Sequence, residues 1–361
     1  MLKLETRPTP STRMQWASPL LALLITVVLG ALLFVLLDKP PIKALSMFFY
    51  EPIKSLYGWS EITVKAAPLI LCALGLAICY RANVWNIGAE GQLLMGAVAA
   101  SGVAIVAPAD APRAYFILVL LAGIVGGMAW AALTAWLKDT FNANEILVSL
   151  MLTYVAVNIV VYMAFGPWRD PNGYNFPQSK MFDDAALLPK LIQGTRIHWG
   201  FVLALLAAAG AYVFMFRSYL GFKMQVGGLS PLAARYAGYS PRQSLWVSLI
   251  TCGGLAGLAG ACEVAGPIGQ LTTNVSPGYG FAAIIVAFVG RLHPVVIVLS
   301  AILMSMFYIG GELSQSRLGM PNAITGVFQG VLLFALLACD TLIHQKIVWK
   351  SRKKAVTKVT Q

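Results

Sequence analysis

The stretch "RANVWNIGAEGQLL", Arg81 to Leu94, lies between two strongly apolar runs. Within it Asn86, Glu90 and Gln92 fall in seven residues, among the small residues Gly88, Ala89 and Gly91. A carboxylate inside a membrane helix costs some ~2.5–3.5 kcal/mol on insertion scales, so Glu90 must face protein or water, with Arg81, Asn86 or Gln92 as its expected partner. Glycines at 88 and 91 permit a break in the helix, and a break persists only where the freed backbone groups are buried in protein or line a cavity. The stretch reads either as a discontinuous segment lining or bracing a pathway, or as a polar knot that fixes two helices.

The rest of the chain supplies the lipid-facing context that makes those polar residues expensive. Of its 361 residues 58% are hydrophobic and 11% charged, with a mean hydropathy of +0.75, far above that of a soluble domain. Apolar runs of membrane-spanning length recur from residue 18 to residue 341. Windows of ~20 residues bounded by charge, Pro and Gly place helices near 18–37, 65–80, 88–107, 114–136, 145–166, 198–216, 244–265, 279–291, 293–310 and 322–341. The expected fold is an all-α polytopic membrane protein with about ten crossings: a leader over 1–17, a transmembrane domain over 18–341 and a basic tail over 342–361. The first run follows a basic leader but ends at Asp38 without a small-residue cleavage pattern, and so reads as a retained helix.

Basic residues are retained on the cytoplasmic side, and they orient the chain. With the N-terminus inside, sixteen basic and four acidic residues fall on the inner side, against ten and eight on the outer side, leaving Glu90 and Glu263 as the carboxylates within helices. Both termini are therefore expected in the cytoplasm. The net charge of +12 is explained by this orientation and by a basic tail near anionic lipid, with no nucleic-acid partner.

Two blocks resemble each other: "LGLAICYRANVWNIGAEGQLLMGAVAA" and "LAGLAGACEVAGPIGQLTTNVSPGYGFAAIIVAF". Each is an apolar helix, then a Gly-rich stretch with Gly-Gln or Gly-x-Gln, then a small-residue helix. The first starts outside and the second inside, the arrangement of an inverted-topology repeat, which places a transport site between its halves. In the second block Gly253, Gly257 and Ala261 form a small-residue face that lets two helices touch, followed by Glu263, either a pathway residue or an interhelix partner. Asn144 and Glu145 open the fifth span, where a carboxylate complements the helix N-terminus.

Enzyme chemistry is not in evidence. GxxxxGK[ST], GxSxG and HExxH are all absent, so the chain has no P-loop for ATP and no nucleophile–base set. The five cysteines lie in apolar runs without a CxxC pair and read as packing residues, and the three scattered histidines suggest no metal site. No cofactor is expected. The longest inner connection, residues 217–243, reads "RSYLGFKMQVGGLSPLAARYAGYSPRQ". Ser230 suits an N-cap before Pro231, and Gly238 suits a left-handed stop. So short a helix is marginal alone and is expected to dock on a cytoplasmic partner through Arg235 and Tyr236.

The strings "APLILCALGLAICYRANVWNIGAEGQ", "NEILVSLMLTYVA", "LSPLAARYAGYSP" and "IIVAFVGRLHP", in that order over roughly residues 60 to 340, resemble permease subunits of bacterial ABC importers of the ribose and nucleoside type, closest to the nucleoside branch. The resemblance implies an inner-membrane subunit that passes a nucleoside or simple sugar delivered by an extracytoplasmic binding lipoprotein. It implies a separate ATPase, docked by a coupling helix matching Pro231, Ala233, Ala234, Arg235, Tyr236, Ala237 and Gly238. It also implies a second permease chain, homologous or identical. The pathway candidates are Asn86, Glu90, Gln92, Asn144, Glu145, Glu263 and Gln270. One departure stands out: Thr153-Tyr154 occupies the place of a usual Asn-Tyr pair. The competing function is an ion-coupled secondary transporter, which needs a buried relay that only Glu90 and Glu263 offer.

Overall fold

The computed structural model describes residues 2–6, 12–108, 110–173, 176–321 and 323–349. Within them the regular structure is helical apart from one ribbon of two strands, β1 (Leu2–Thr6) and β2 (Gln345–Trp349), which pair antiparallel and hold the two tails on one side, and isolated bridges in the irregular 166–198 connection. The basic residues of the tail from 350 to 358, and Arg7 of the leader, lie outside the described residues.

Among the described residues fourteen α-helices follow in order: α1 (Thr12–Leu36), α2 (Pro41–Phe49), α3 (Glu51–Lys54), α4 (Leu56–Arg81), α5 (Ala89–Ile105), α6 (Phe116–Phe141), α7 (Glu145–Phe165), α8 (Trp199–Arg217), α9 (Tyr219–Leu229), α10 (Pro231–Tyr236), α11 (Pro241–Glu263), α12 (Tyr279–Val289), α13 (Pro294–Leu318) and α14 (Ala323–His344). Eight of these segments are long and apolar enough to cross a membrane, and α5 and α12 are shorter apolar helices. The ten regions expected from the sequence each hold one of these ten helices, but several boundaries move. α4 begins at Leu56 rather than near 65, and α13 runs on to Leu318 rather than ending near 310. In both cases charges taken as boundaries are paired with a charge on another segment. Lys65 bridges Glu312 at 2.7 Å and Glu61 bridges Arg196 at 3.1 Å.

Ion pairs gather at two ends of the molecule. Lys65–Glu312, Arg196–Glu61 and Arg317–Glu51 join segments assigned outside, and Lys138–Glu145, Arg242–Asp139 and Arg291–Asp340 join segments assigned inside. Around the periphery α1, α6, α7, α8 and α14 turn large apolar side chains outward, among them Leu24, Leu32, Val125, Tyr162, Leu206 and Phe334. That is the expected surface against lipid. α4 is the opposite, buried along almost its whole length.

The core is made of small residues, because only they let helix backbones touch. A Cβ on Gly257 of α11 would lie 2.2 Å from the Gly123 carbonyl of α6, and one on Gly96 of α5 would lie 2.3 Å from the Gly257 Cα. The Gly253, Gly257 and Ala261 face is therefore the seam where α5, α6 and α11 meet. Partners are exchanged between the two repeat blocks: α11 packs on α5 and α6, while α4 packs on α12 and α13. α4 and α11 run antiparallel, Cys79 lying against Ser248 and Gly75 against Cys252, so the two blocks are inverted with respect to each other.

Candidate functional site

Each block contains one short helix with a non-helical approach. After α4 ends at Arg81 the chain turns through Asn83, at φ 57°, and continues as a non-helical segment until α5 starts at Ala89. After α11 the chain passes through a π-helical turn, Val264–Ile268, and reverses at Gly269 (φ 75°) and Gly278 (φ 93°) before α12. The 11 residues of α12 make a helix about 16 Å long, roughly half the hydrocarbon thickness, so α12 cannot span alone.

The N-termini of α5 and α12 meet. Glu90, in the first turn of α5, accepts a hydrogen bond at 2.6 Å from the Gly280 N–H in the first turn of α12. Ser276 fixes the same turn, its oxygen accepting from the N–H groups of Gly278 and Tyr279 at 3.2 and 3.0 Å. Backbone approach is so close that a Cβ on Gly280 would lie 2.2 Å from the Glu90 nitrogen. A carboxylate here answers the positive end of α12, whose first N–H groups lack helical acceptors. This corrects the expected pairing: Arg81, Asn86 and Gln92 do not hold Glu90, and backbone 190 residues away does.

Asn86 and Gln92 serve the turn between α4 and α5. Asn86 is fully buried; its Oδ1 accepts from the Gly88 N–H at 2.9 Å, and its Nδ2 donates to Gln92 Oε1 at 3.3 Å and to Cys252 Sγ at 3.2 Å. Cys252 lies halfway along α11, which places this turn level with the middle of that helix. α7 closes the other side: Ser149 Oγ accepts from the Ile87 N–H at 3.1 Å, and a Cβ on Gly91 would meet Thr153 at 2.8 Å. Thr153 itself is buried, with its hydroxyl on the Ser149 carbonyl. Arg81 goes elsewhere, donating to the Leu292 carbonyl at 3.0 Å and lying over the Phe216 ring.

The remaining predicted residues lie apart from this junction. Asn144 caps α7 by accepting from the Ile146 N–H at 3.0 Å, and Glu145 pairs with Lys138 at 2.9 Å. Glu263 is buried at the outer end of α11, with Lys65 and Arg196 as the cations bearing on it. Gln270 is half-buried and donates to Gln178 at 3.1 Å. It belongs to a seam in which the 166–198 connection is laced onto 264–272, through Ser179 N–H to Leu271, Phe182 N–H to Gly269 and Leu188 N–H to Ala265. His198 ends that connection and caps α8, its Nδ1 accepting from the Gly200 N–H at 3.1 Å; burial pushes its pKa down to about 4.

At the inner end α10 stands out from the bundle, with Tyr236 95% and Leu232 71% exposed while Ala234 is buried. Arg235 and Ala233 are exposed beside them. Gly238 takes the left-handed conformation (φ 74°), its N–H bonding the Arg235 carbonyl. Ser230 occupies the N-cap position but makes no side-chain cap bond, a correction to its expected role. Behind α10 a cavity of about 350 Å³ is lined by Lys138, Asp139, Glu145, Lys223 and Arg242 among others. Nothing in the sequence announces that cavity, since its walls come from separate connections. Among the described residues no cluster of His, Cys, Asp and Glu is placed to hold a metal.

Known proteins resemble the chain over nearly its whole length. A family described as branched-chain amino acid transport system / permease component matches residues 58–337. A glucose ABC transporter permease of Haloferax volcanii is 35% identical over 94% of this chain and 91% of its own. A guanosine ABC transporter permease of Bacillus subtilis is 28% identical, over 93% of this chain and 96% of its own. A nucleoside ABC transporter permease of Lactococcus lactis is 27% identical, over 88% and 89%. No solved structure matches.

Proposed function

This chain belongs to the permease family just described, and from that premise we propose that it forms the translocation pathway for a neutral polar solute, a nucleoside or a simple sugar. As an ABC importer permease it is a multi-pass subunit of the cytoplasmic membrane and not an enzyme; an ABC ATPase and a substrate-binding protein are its working partners. Membership leaves no place for an ion-driven secondary transporter.

The observation that carries the pathway reading is the meeting of two half-helix N-termini on Glu90, beside a turn level with the middle of α11. Irregular backbone within a membrane is tolerated only in protein or beside a cavity, and paired broken helices from inverted repeats mark transport sites. In this reading Glu90 braces the junction from α12, and Asn86 and Gln92 brace it from α11. Glu263 and Gln270 stand toward the outer mouth and Asn144 and Glu145 toward the inner one. α10, from Pro231 through Ala233, Ala234, Arg235 and Tyr236 to Ala237 and Gly238, is the coupling element, supported by its exposure. A second permease chain, identical or homologous, completes the pathway, and the binding protein is a lipoprotein at the outer face.

The test is reconstitution of this chain with its second permease, ATPase and binding protein in proteoliposomes, with labelled glucose and guanosine as probes. ATP-dependent accumulation of either is expected. Uptake driven by an ion gradient with ATP absent would overturn the reading.

A further inference from the structure

Between the outer halves of α13 and α14 lies a cavity of about 180 Å³ whose lining is unusually polar for a membrane bundle: Pro277, Tyr308, Glu312, Thr325, Gly326 and Gln329. We propose that it is a contact site for one sugar ring, either the substrate itself or the ribose of a nucleoside. The proposal rests on the reading of the chain as a solute permease and adds to it the place and the chemistry of recognition.

Size limits the occupant. At about 180 Å³ the cavity falls below the ~300–1,000 Å³ of sites that engulf drug-sized ligands. It has the scale of a ring-sized group. The lining chemistry narrows it further. A hydroxyl from Tyr308, a hydroxyl from Thr325, an amide from Gln329 and a carboxylate from Glu312 offer donors and acceptors in close mixture, the complement of vicinal ring hydroxyls. Gln329 Nε2 is buried and makes no hydrogen bond of good geometry, although the Tyr308 hydroxyl lies near its amide. A substrate oxygen would satisfy that donor.

Charge points to a neutral ligand. The lining holds no cation, and its carboxylate is already held by Lys65 at 2.7 Å. An anion would meet Glu312 with no cation in the lining to offset it, and a cation would compete with Lys65, so a neutral solute is preferred. Position ties the cavity to the pathway. Tyr308 lies edge-on to Tyr279, ring centroids 5.4 Å apart, and Tyr279 begins α12 beside Gly280, the donor to Glu90. A ring held here sits one side chain from the junction of the two half-helices. Position 311 is glycine for a related reason, since any side chain there would collide with the Thr325 hydroxyl.

Gln329→Leu and Thr325→Val, with Thr325→Ser as the hydroxyl-retaining control, would be assembled with the partner subunits and assayed for uptake of labelled glucose and guanosine alongside ATP hydrolysis stimulated by loaded binding protein. The expected result is uptake lowered about tenfold by Gln329→Leu and by Thr325→Val, near-normal uptake for Thr325→Ser, and stimulated ATP hydrolysis within about twofold of wild type in all three. Unchanged uptake in the first two variants would overturn the proposal. So would uptake that falls in step with hydrolysis or with the amount of assembled complex, since that is a packing defect. A wild-type complex that moves neither solute would remove the transport reading and this site with it, whereas normal wild-type transport with indifferent variants removes the site alone.

Discussion

Replacement of Glu90 separates the two contributions that its carboxylate makes to the junction. Glu90→Leu keeps the bulk but removes the acceptor at 2.6 Å from the Gly280 N–H. Losing a hydrogen bond to a charged group costs ~1.5–3 kcal/mol, and losing the charge at the start of α12 adds ~0.3–2 kcal/mol. The total is about 2–5 kcal/mol, concentrated at a contact between the two repeat blocks. Glu90→Gln retains an oxygen for Gly280 and gives up only the charge, so its cost is the smaller ~0.3–2 kcal/mol. Thermal unfolding of the detergent-purified protein, followed by loss of the monodisperse peak, should rank wild type above Gln and Gln well above Leu. Equal midpoints for wild type and Leu would refute the junction; a Gln variant as damaged as Leu would show that charge, not acceptor geometry, holds α12.

Other parts of the molecule give outcomes as definite. Gly257→Ala drives a Cβ to 2.2 Å from the Gly123 carbonyl, an overpacking that costs at least ~1–3 kcal/mol, and folded yield should drop severalfold while Gly326→Ala, with open space around it, should leave yield unchanged. His198 is neutral when folded, its pKa held at about 4 against ~6.5 unfolded. The unfolded state takes the proton first, so stability is full above about pH 6.5 and falls as pH drops toward 4; His198→Asn, which still caps α8, should flatten the melting temperature across that window. Cysteine at Asp183 should react with a membrane-impermeant thiol reagent in intact cells, and cysteine at Tyr236 only after the membrane is opened, because the native cysteines are all buried.

The sequence makes some levels of this structure legible and hides others. Ten apolar helices can be read because lipid imposes uniform hydropathy on each, and the Gly253, Gly257 and Ala261 spacing announces a close helix contact before any partner is known. Ends are less legible. Charge marks a boundary in a window scan, yet Lys65 and Glu312 neutralise one another across α4 and α13, so both helices run past their charges. The short helices α2, α3 and α9 escape because none is long enough to span and nothing in their hydropathy distinguishes them from connections. At the junction, Asn86, Glu90 and Gln92 stand out by their cost, but the partner of Glu90 is a backbone N–H of a glycine, which carries no side-chain signal at all. The outer cavity is hidden for a similar reason: Tyr308, Thr325 and Gln329 are ordinary singly and meaningful only when α13 and α14 bring them together.

The central claim is that an exposed inner helix transmits ATP hydrolysis to a broken-helix pathway, and α10 is where it is most directly tested. Arg235→Glu reverses charge on an exposed side chain of α10, and Tyr236→Ala removes the most exposed large side chain on α10. The measurement is retention of the ATPase when the permease is extracted in detergent and purified by a tag on this chain. The wild type is expected to retain the ATPase and the double variant to lose it, with membrane insertion and the unfolding midpoint unchanged. An ATPase that copurifies with the double variant as well as with wild type, and that still responds to loaded binding protein, would contradict the assignment of α10 as the coupling element.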